Sequence, residues 1–164
     1  MPETARELFE HELRDLYDAE KKLVRATQSM AKKVSDKELS ASIMEHSRVT
    51  ENQAARLEKV FEIIGRKPRR EKCKGIDGLI EEFTSFVKEE NPSPEVLDVF
   101  ATGAGQKVEQ YEIVSYRSLI KLASELGLND AVSLFEQSLD EEQETAEELE
   151  AAAERLGKKL EPGD

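Results

Sequence analysis

Carboxylates interrupt the apolar faces of several predicted helices. Glu20, Glu109, Glu112 and Glu142 stand where spacings of three and four residues predict core positions, and His46 occupies such a position on a further helix. An ionised carboxylate in an apolar interior is costly unless a cation compensates it, which a divalent metal shared by several carboxylates does well. Glu and His side chains projecting inward from four helices are typical of a carboxylate di-metal bundle. The sequence therefore predicts a site for iron or manganese.

Each of these residues also has a simpler interpretation. A single Glu within an apolar stripe is usually a boundary residue whose head group reaches water, and a single His is more often a hydrogen-bonded interior residue than a ligand. The recurrence of Glu near the middle of separate helices favours metal binding over several independent boundary residues. Asp15 and Asp18 flank Glu20, and helical geometry predicts that both lie on hydrated faces.

Five helices are predicted to position these side chains. Thr4 and Glu7 form a capping-box pattern at the first helix, Ser93 and Pro94 are typical of a helix start, and Asn129 is predicted to cap the last helix. Glycines at positions 65 and 127 follow two of the apolar stripes and predict helix ends. The predicted helices span about 4–34, 36–64, 76–89, 94–126 and 129–156, followed by a frayed tail over 158–164.

The order of the elements predicts an all-α, ferritin-like four-helix bundle formed by a single domain over residues 1–164. The sequence of the second long helical pair aligns with that of the first at a nearly constant offset, so that Glu20 aligns with Glu109 and Thr50 with Glu142. Two helical hairpins with short links, joined by a long crossover that carries a short extra helix, have the connectivity of ferritin-like folds.

Composition excludes several classes of function. The 164 residues include 24 Lys and Arg against 36 Asp and Glu, and the net charge of −12 argues against binding to nucleic acid or anionic membranes. Cys73 is the only cysteine, which excludes an intrachain disulfide and is typical of a reducing compartment. No signal sequence or run of 18 apolar residues is visible, so we expect a soluble, cytoplasmic protein.

Three segments together resemble the YciE/YciF family of ferritin-like proteins. They are Glu12–Leu23 on the first helix, Lys72–Ile80 in the crossover with its cysteine, and Gln106–Ile113 with its Gln-x-x-Glu-x-x-Glu pattern. The resemblance spans nearly the whole chain. It implies a ferritin-like bundle with a short helix in the crossover, a homodimer and a link to bacterial stress responses. It also implies metal ligands at Glu20, Glu109, Glu112 and Glu142.

The chain departs from the pattern of this family at three positions. Family members usually carry a carboxylate where Val49 stands, often His in place of Gln53, and Asp in place of Ala146. These departures imply a metal site that is weak, mononuclear or empty, with Glu51, Gln53, His46 or solvent as replacement ligands. In an empty site the glutamates would be protonated, or paired with Arg48 reaching inward. The alternative is a metal-free structural or interaction protein. An iron-storage cage is least favoured, and the residues assign no enzymatic reaction or protein partner.

Overall fold

The computed structural model describes residues 2–163, which fold into five helices and contain no strand within that range. The helices are α1 (Ala5–Lys33), α2 (Lys37–Ile63), α3 (Lys74–Glu90), α4 (Pro94–Glu125) and α5 (Asn129–Gly157). The starts of α4 and α5 are as predicted, and the other helix ends differ from the predicted ones by one or two residues. Of the predicted tail over 158–164, Asp164 lies outside the described residues, as does Met1 of the predicted domain.

Local sequence signals account for most helix ends. Thr4 and Glu7 form the predicted capping box of α1, and the Ser93 hydroxyl accepts from the Val96 amide at the start of α4. Gly65, after α2, has φ +69°, a left-handed conformation that glycine adopts without strain. The prediction that Asn129 caps α5 is wrong. The chain passes directly from the Gly127 turn into the helix, so Leu128 is the N-cap and no side chain caps α5.

The four long helices pack in a closed ring. Short connections join α1 to α2 and α4 to α5, so the partners within each pair run antiparallel, while α1 also contacts α4 and α2 contacts α5. The short α3 lies in the crossover between the pairs and packs on α1 and α4. None of the helices in the described range is long and apolar enough to cross a membrane.

Two apolar clusters form the core. One contains Phe9 and Phe135, which pack edge to face with ring centroids 6.2 Å apart, and the other contains Leu39 and Leu149. The four long helices also bury polar residues, and the hydroxyl of Tyr116, a member of the first cluster, donates to Glu20 Oε1. The core therefore consists of two apolar clusters and a set of polar side chains that are buried between the same helices.

The crossover is fixed to α1 by buried polar contacts. The Glu71 amide donates to the Arg14 carbonyl oxygen over 3.1 Å, and the Cys73 amide donates to Asp18 Oδ2 over 2.9 Å. Asp18 also pairs with Lys22 and Arg70. The prediction that Asp18 lies on a hydrated face is wrong, because the crossover folds across that face of α1 and leaves Asp18 only 5% exposed.

A second buried aspartate fixes the turn between α1 and α2. Asp98, on the first turns of α4, accepts hydrogen bonds from the Ser35 amide, the Ser35 hydroxyl and the Asp36 amide over 2.7–2.9 Å. These amides precede α2 and would otherwise lack partners. Asp98 therefore joins the first helical hairpin to the start of the second.

Candidate metal centre

All five residues predicted as metal ligands are buried. Glu20 comes from α1, His46 from α2, Glu109 and Glu112 from α4, and Glu142 from α5. The glutamates are at most 1% exposed and His46 is 8% exposed. Their positions on the apolar faces of the helices force them inward, so packing of those faces brings together polar groups that are far apart in sequence.

Four of the five residues form one compact group. His46, Glu109, Glu112 and Glu142 each offer a ligand atom, and these atoms all lie within 4.8 Å of one another. His46 Nε2 lies 2.8 Å from Glu109 Oε1. Glu20 is outside this group but lies beside Glu112, since each of these carboxyl groups shifts the pKa of the other.

The hydrogen-bond partners of His46 indicate its tautomer, that is, which of its two ring nitrogens carries the proton. Thr145 donates its hydroxyl proton to the Glu141 carbonyl oxygen over 3.0 Å, so its oxygen acts as acceptor towards His46 Nδ1, 3.2 Å away. Burial lowers the pKa of His46 and favours the neutral ring, despite the opposing effect of Glu142. A neutral ring protonated at Nδ1 presents an unprotonated Nε2 to the group, which is the form that binds metal.

The buried carboxyl groups resist ionisation in the absence of a cation. Burial, with the charge of Glu142 as a smaller cause, raises the pKa of Glu20 to about 8. Burial also raises the pKa of Glu109 and Glu112 well above the ordinary value, with the charge of Glu142 adding to both effects. In their ionised form these groups would therefore need a positive charge nearby, whereas their protonated forms need none.

No Lys or Arg of residues 2–163 forms an ion pair with any of the four glutamates. Arg48 does not reach inward, and its predicted compensating role is wrong, because its side chain is 62% exposed and pairs with Glu45 on the same helix face. Arg56 is closer to the interior but binds Glu141. Several buried oxygens consequently lack any hydrogen-bond partner within the described chain: Glu20 Oε2, Gln53 Oε1, Glu109 Oε2, Glu112 Oε1 and Oε2, and Glu142 Oε2.

Polar neighbours orient two of these carboxyl groups. The Tyr116 hydroxyl donates to Glu20 Oε1, and Gln53 Nε2 donates to Glu142 Oε1. Gln53 is fully buried and faces the group, whereas Val49 and Ala146 are only half-buried. Gln53 was predicted from the sequence as a replacement ligand, whereas the contact of Thr145 with His46 was not predicted. Thr145 lies one helical turn after Glu142, and that spacing was the available signal.

The remaining tyrosines and the cysteine lie outside the group. The Tyr17 hydroxyl donates to Glu58 over 2.7 Å, and Tyr111 lies with its hydroxyl 3.3 Å from Cys73 Sγ. Cys73 is completely buried, and burial raises the pKa of its thiol. A raised pKa lowers the thiolate fraction, so the thiol is poorly suited to nucleophilic chemistry.

Comparison with known proteins identifies the family of this chain. Residues 4–160 match the family described as a domain of unknown function, DUF892. The chain belongs to this family. The DUF892 chain is also 38% identical to Protein YciF of Escherichia coli over 160 residues, which is 96% of each protein. The resemblance to the YciE/YciF family is thereby confirmed.

Solved structures of relatives have the same all-helical fold. The DUF892 chain superposes on the E. coli stress protein YciF with a TM-score of 0.91 and 36% identity, covering 97% of this chain and 100% of that one. YcfI of Rhodopseudomonas palustris gives a TM-score of 0.88 at 36% identity, covering 90% and 94%. A Xanthomonas campestris protein with 23% identity and a TM-score of 0.73 over 93% of each chain shares the fold alone.

Proposed function

We propose that this DUF892 protein is a ferritin-like four-helix bundle that binds a divalent metal, iron or manganese, between its long helices. The observation that carries the proposal is the group of His46, Glu109, Glu112 and Glu142, whose ligand atoms lie within 4.8 Å of one another in a buried site. The connectivity of two helical hairpins and a long crossover supports the ferritin-like assignment.

The dimensions of the group fit one cation. Oxygen and nitrogen ligands lie about 2.0–2.6 Å from divalent metals in proteins, so ligands on opposite sides of one ion are about 4–5 Å apart. Carboxylates and an imidazole are also the donor set that suits iron or manganese. The oxygens of Glu109, Glu112 and Glu142 that accept no hydrogen bond within residues 2–163 would be free to bind an ion once the carboxyl protons are released.

A second ion has a poorer but definable set of donors. Both oxygens of Glu112 are unpartnered, so this carboxylate would help to hold a second ion, and Glu20 Oε2 and Gln53 Oε1 are further free acceptors. In carboxylate bundles, Glu-x-x-His pairs on two helices complete such a site. Here the corresponding pairs are Thr50 with Gln53 and Glu142 with Thr145, so both histidines and one carboxylate are replaced. We therefore propose one firm site and a weak second one.

Each side chain has a definable role in such a centre. A bound iron or manganese ion would supply redox or Lewis-acid chemistry towards oxygen or peroxide. Thr145 holds the His46 ring with Nε2 directed at the carboxylates, and Tyr116 holds a proton beside Glu20.

Metal titration of chelator-treated protein tests this proposal. We expect Mn(II) or anaerobic Fe(II) to bind by isothermal titration calorimetry, and Glu109→Gln to weaken binding by more than about 100-fold because it removes a ligand. Thr145→Val removes only the partner of His46 Nδ1, so we expect a loss of about tenfold. Glu144→Gln, an exposed carboxylate on α5, is the matched control. Binding that is absent, or equal in all three variants, would contradict the proposal.

A metal-free structural or interaction protein is the second candidate. The raised pKa of Glu20, Glu109 and Glu112 favours it, because carboxyl groups that stay protonated at neutral pH need no cation. This candidate predicts no change in melting temperature when Mn(II) or Fe(II) is added. An increase of several degrees on adding metal would exclude it.

A stress-related role and a homodimer complete the proposal. The relative from E. coli is a stress protein, and the family resemblance implies dimers. Exposed large apolar side chains, Met44 and Val114 among them, are available for contact between copies. The single buried, free cysteine supports a cytoplasmic location. Native mass spectrometry measures the oligomeric state, and a purely monomeric spectrum would contradict the dimer.

A further inference from the structure

An apolar cleft of about 420 Å³ opens beside the candidate metal centre. Its walls come from all five helices and are formed mainly by Leu23, Met30, Ile43, Phe83, Val108 and Leu149. The volume lies in the range of small-molecule sites, which are typically apolar clefts with a few polar groups at defined places. The two main polar groups at its buried end are His46 and Glu109, which also belong to the metal-binding group.

The unpaired cations of the cleft lie in its exposed part, away from the buried end that His46 and Glu109 line. Arg25 and Lys33, two helical turns apart on α1, line the exposed part, and neither forms an ion pair with a carboxylate of residues 2–163. Lys22 also lines the cleft, but Asp18 and Asp77 neutralise it, each 2.6 Å from its Nζ. The mouth is therefore a local cationic site on a protein with a net charge of −12.

We propose that this cleft binds a single-chain amphiphile with an anionic head group, of the chemical class of medium-chain fatty acids. The alkyl chain lies against the apolar walls, with its end towards His46 and Glu109. The carboxylate remains at the mouth of the cleft, where it is hydrated and lies beside the cationic side chains of Arg25 and Lys33. This orientation follows because the reverse one would take the carboxylate out of water and away from both cations, and would leave the alkyl chain in water.

Such a ligand would cover one side of the buried carboxylate group and displace water from the cleft. The inference does not rest on metal binding, because the cleft and its cations exist without a metal. Binding is therefore measured on chelator-treated full-length protein, so that its outcome is separate from that of the metal titration.

The test compares octanoate, decanoate and decan-1-ol by isothermal titration calorimetry below their aggregation limits. We expect decanoate to bind about 15-fold more tightly than octanoate, since two more CH₂ groups are buried at about 0.8 kcal/mol each. We expect decan-1-ol to bind more weakly than decanoate, because it lacks the charge. Equal affinity for decanoate and decan-1-ol, or no effect of chain length, would overturn the proposal.

Two pairs of variants locate the binding. Arg25→Glu combined with Lys33→Glu should weaken decanoate binding about tenfold, whereas Lys32→Glu with Lys37→Glu, which makes the same charge change outside the cleft, should have little effect. Ala104→Leu fills the cleft and should abolish binding, and Ala55→Leu on the exposed face of α2 is its control. Circular dichroism checks the fold of each variant. An equal loss of binding in a cleft variant and in its control would overturn the proposal. If Ala104→Leu does not fold, the comparison of the two charge-reversal double variants decides.

Discussion

Glu20 makes the stability of the metal-free protein depend strongly on pH. Its pKa in the folded protein is about 8, against 4.5 for the ordinary side chain. Between these values Glu20 ionises in the unfolded chain but stays protonated in the folded one. In this range the unfolded state therefore binds fewer protons than the folded state. The contribution of Glu20 to stability is complete below pH 4.5 and is lost as the pH rises through about 8.

The size of this loss follows from the shift. Each pH unit between the two pKa values removes about 1.4 kcal/mol, so Glu20 alone lowers the free energy of unfolding by about 4 kcal/mol between pH 5 and pH 8. Glu109 and Glu112 act in the same direction because their pKa values are also raised. For a chain of this length, a loss of that size lowers the melting temperature by roughly 10 °C.

The substitution Glu20→Gln isolates this contribution. The amide keeps an oxygen to accept the Tyr116 hydroxyl and cannot ionise. Urea denaturation of chelator-treated protein, followed by far-UV circular dichroism at pH 5 and pH 8, measures the free energy of unfolding. We expect the decrease between the two pH values to be about 4 kcal/mol smaller in Glu20→Gln than in the natural sequence.

Glu144→Gln is the matched control, because Glu144 is exposed and forms no ion pair within residues 2–163. We expect its pH dependence to equal that of the natural sequence. If Glu20→Gln and the natural sequence lose stability in parallel, Glu20 ionises normally in the folded protein. The account of a buried carboxyl group that needs a cation would then be refuted.

Further predictions concern metal, packing and capping. Mn(II) should raise the melting temperature more at pH 8 than at pH 5.5 in differential scanning calorimetry, since protons compete for the carboxylates; an equal increase would contradict this. Phe9→Ala should cost about 3–5 kcal/mol in urea denaturation because Phe9 is fully buried against Phe135, and a loss below 1 kcal/mol would refute that packing. Asp98→Ala should cost about 3 kcal/mol by the same assay, by removing three hydrogen bonds from the α1–α2 turn. Thr4→Ala should cost about 1 kcal/mol.

Periodic signals made the helices predictable from sequence. The apolar residues of α1, such as Leu13 and Leu23, recur on one face, and Thr4 and Ser93 have the residue types that start helices. The same periodicity indicated that Glu20, Glu109, Glu112, Glu142 and His46 face inward. It succeeded because a residue on the axis of an apolar stripe has no route to water once two such stripes pack together.

Contacts made by the crossover were not predictable in the same way. Asp18 lies off the main stripe of α1, and its burial depends on Arg70 and the Cys73 amide folding over it. Similarly, Asn129 has a suitable side chain for capping, but the Gly127 turn leads the backbone into α5 with Leu128 as the N-cap. Both cases depend on the path of the chain between helices, for which hydrophobic periodicity carries no information.

The central claim is that the buried group of His46, Glu109, Glu112 and Glu142 binds a divalent metal. The most direct test is a crystal structure of Mn(II)-loaded protein with an anomalous difference map collected near the manganese absorption edge. We predict a strong anomalous peak within about 2.0–2.6 Å of ligand atoms from these four residues. A map without a peak at this site, from crystals that contain excess Mn(II), would contradict the claim.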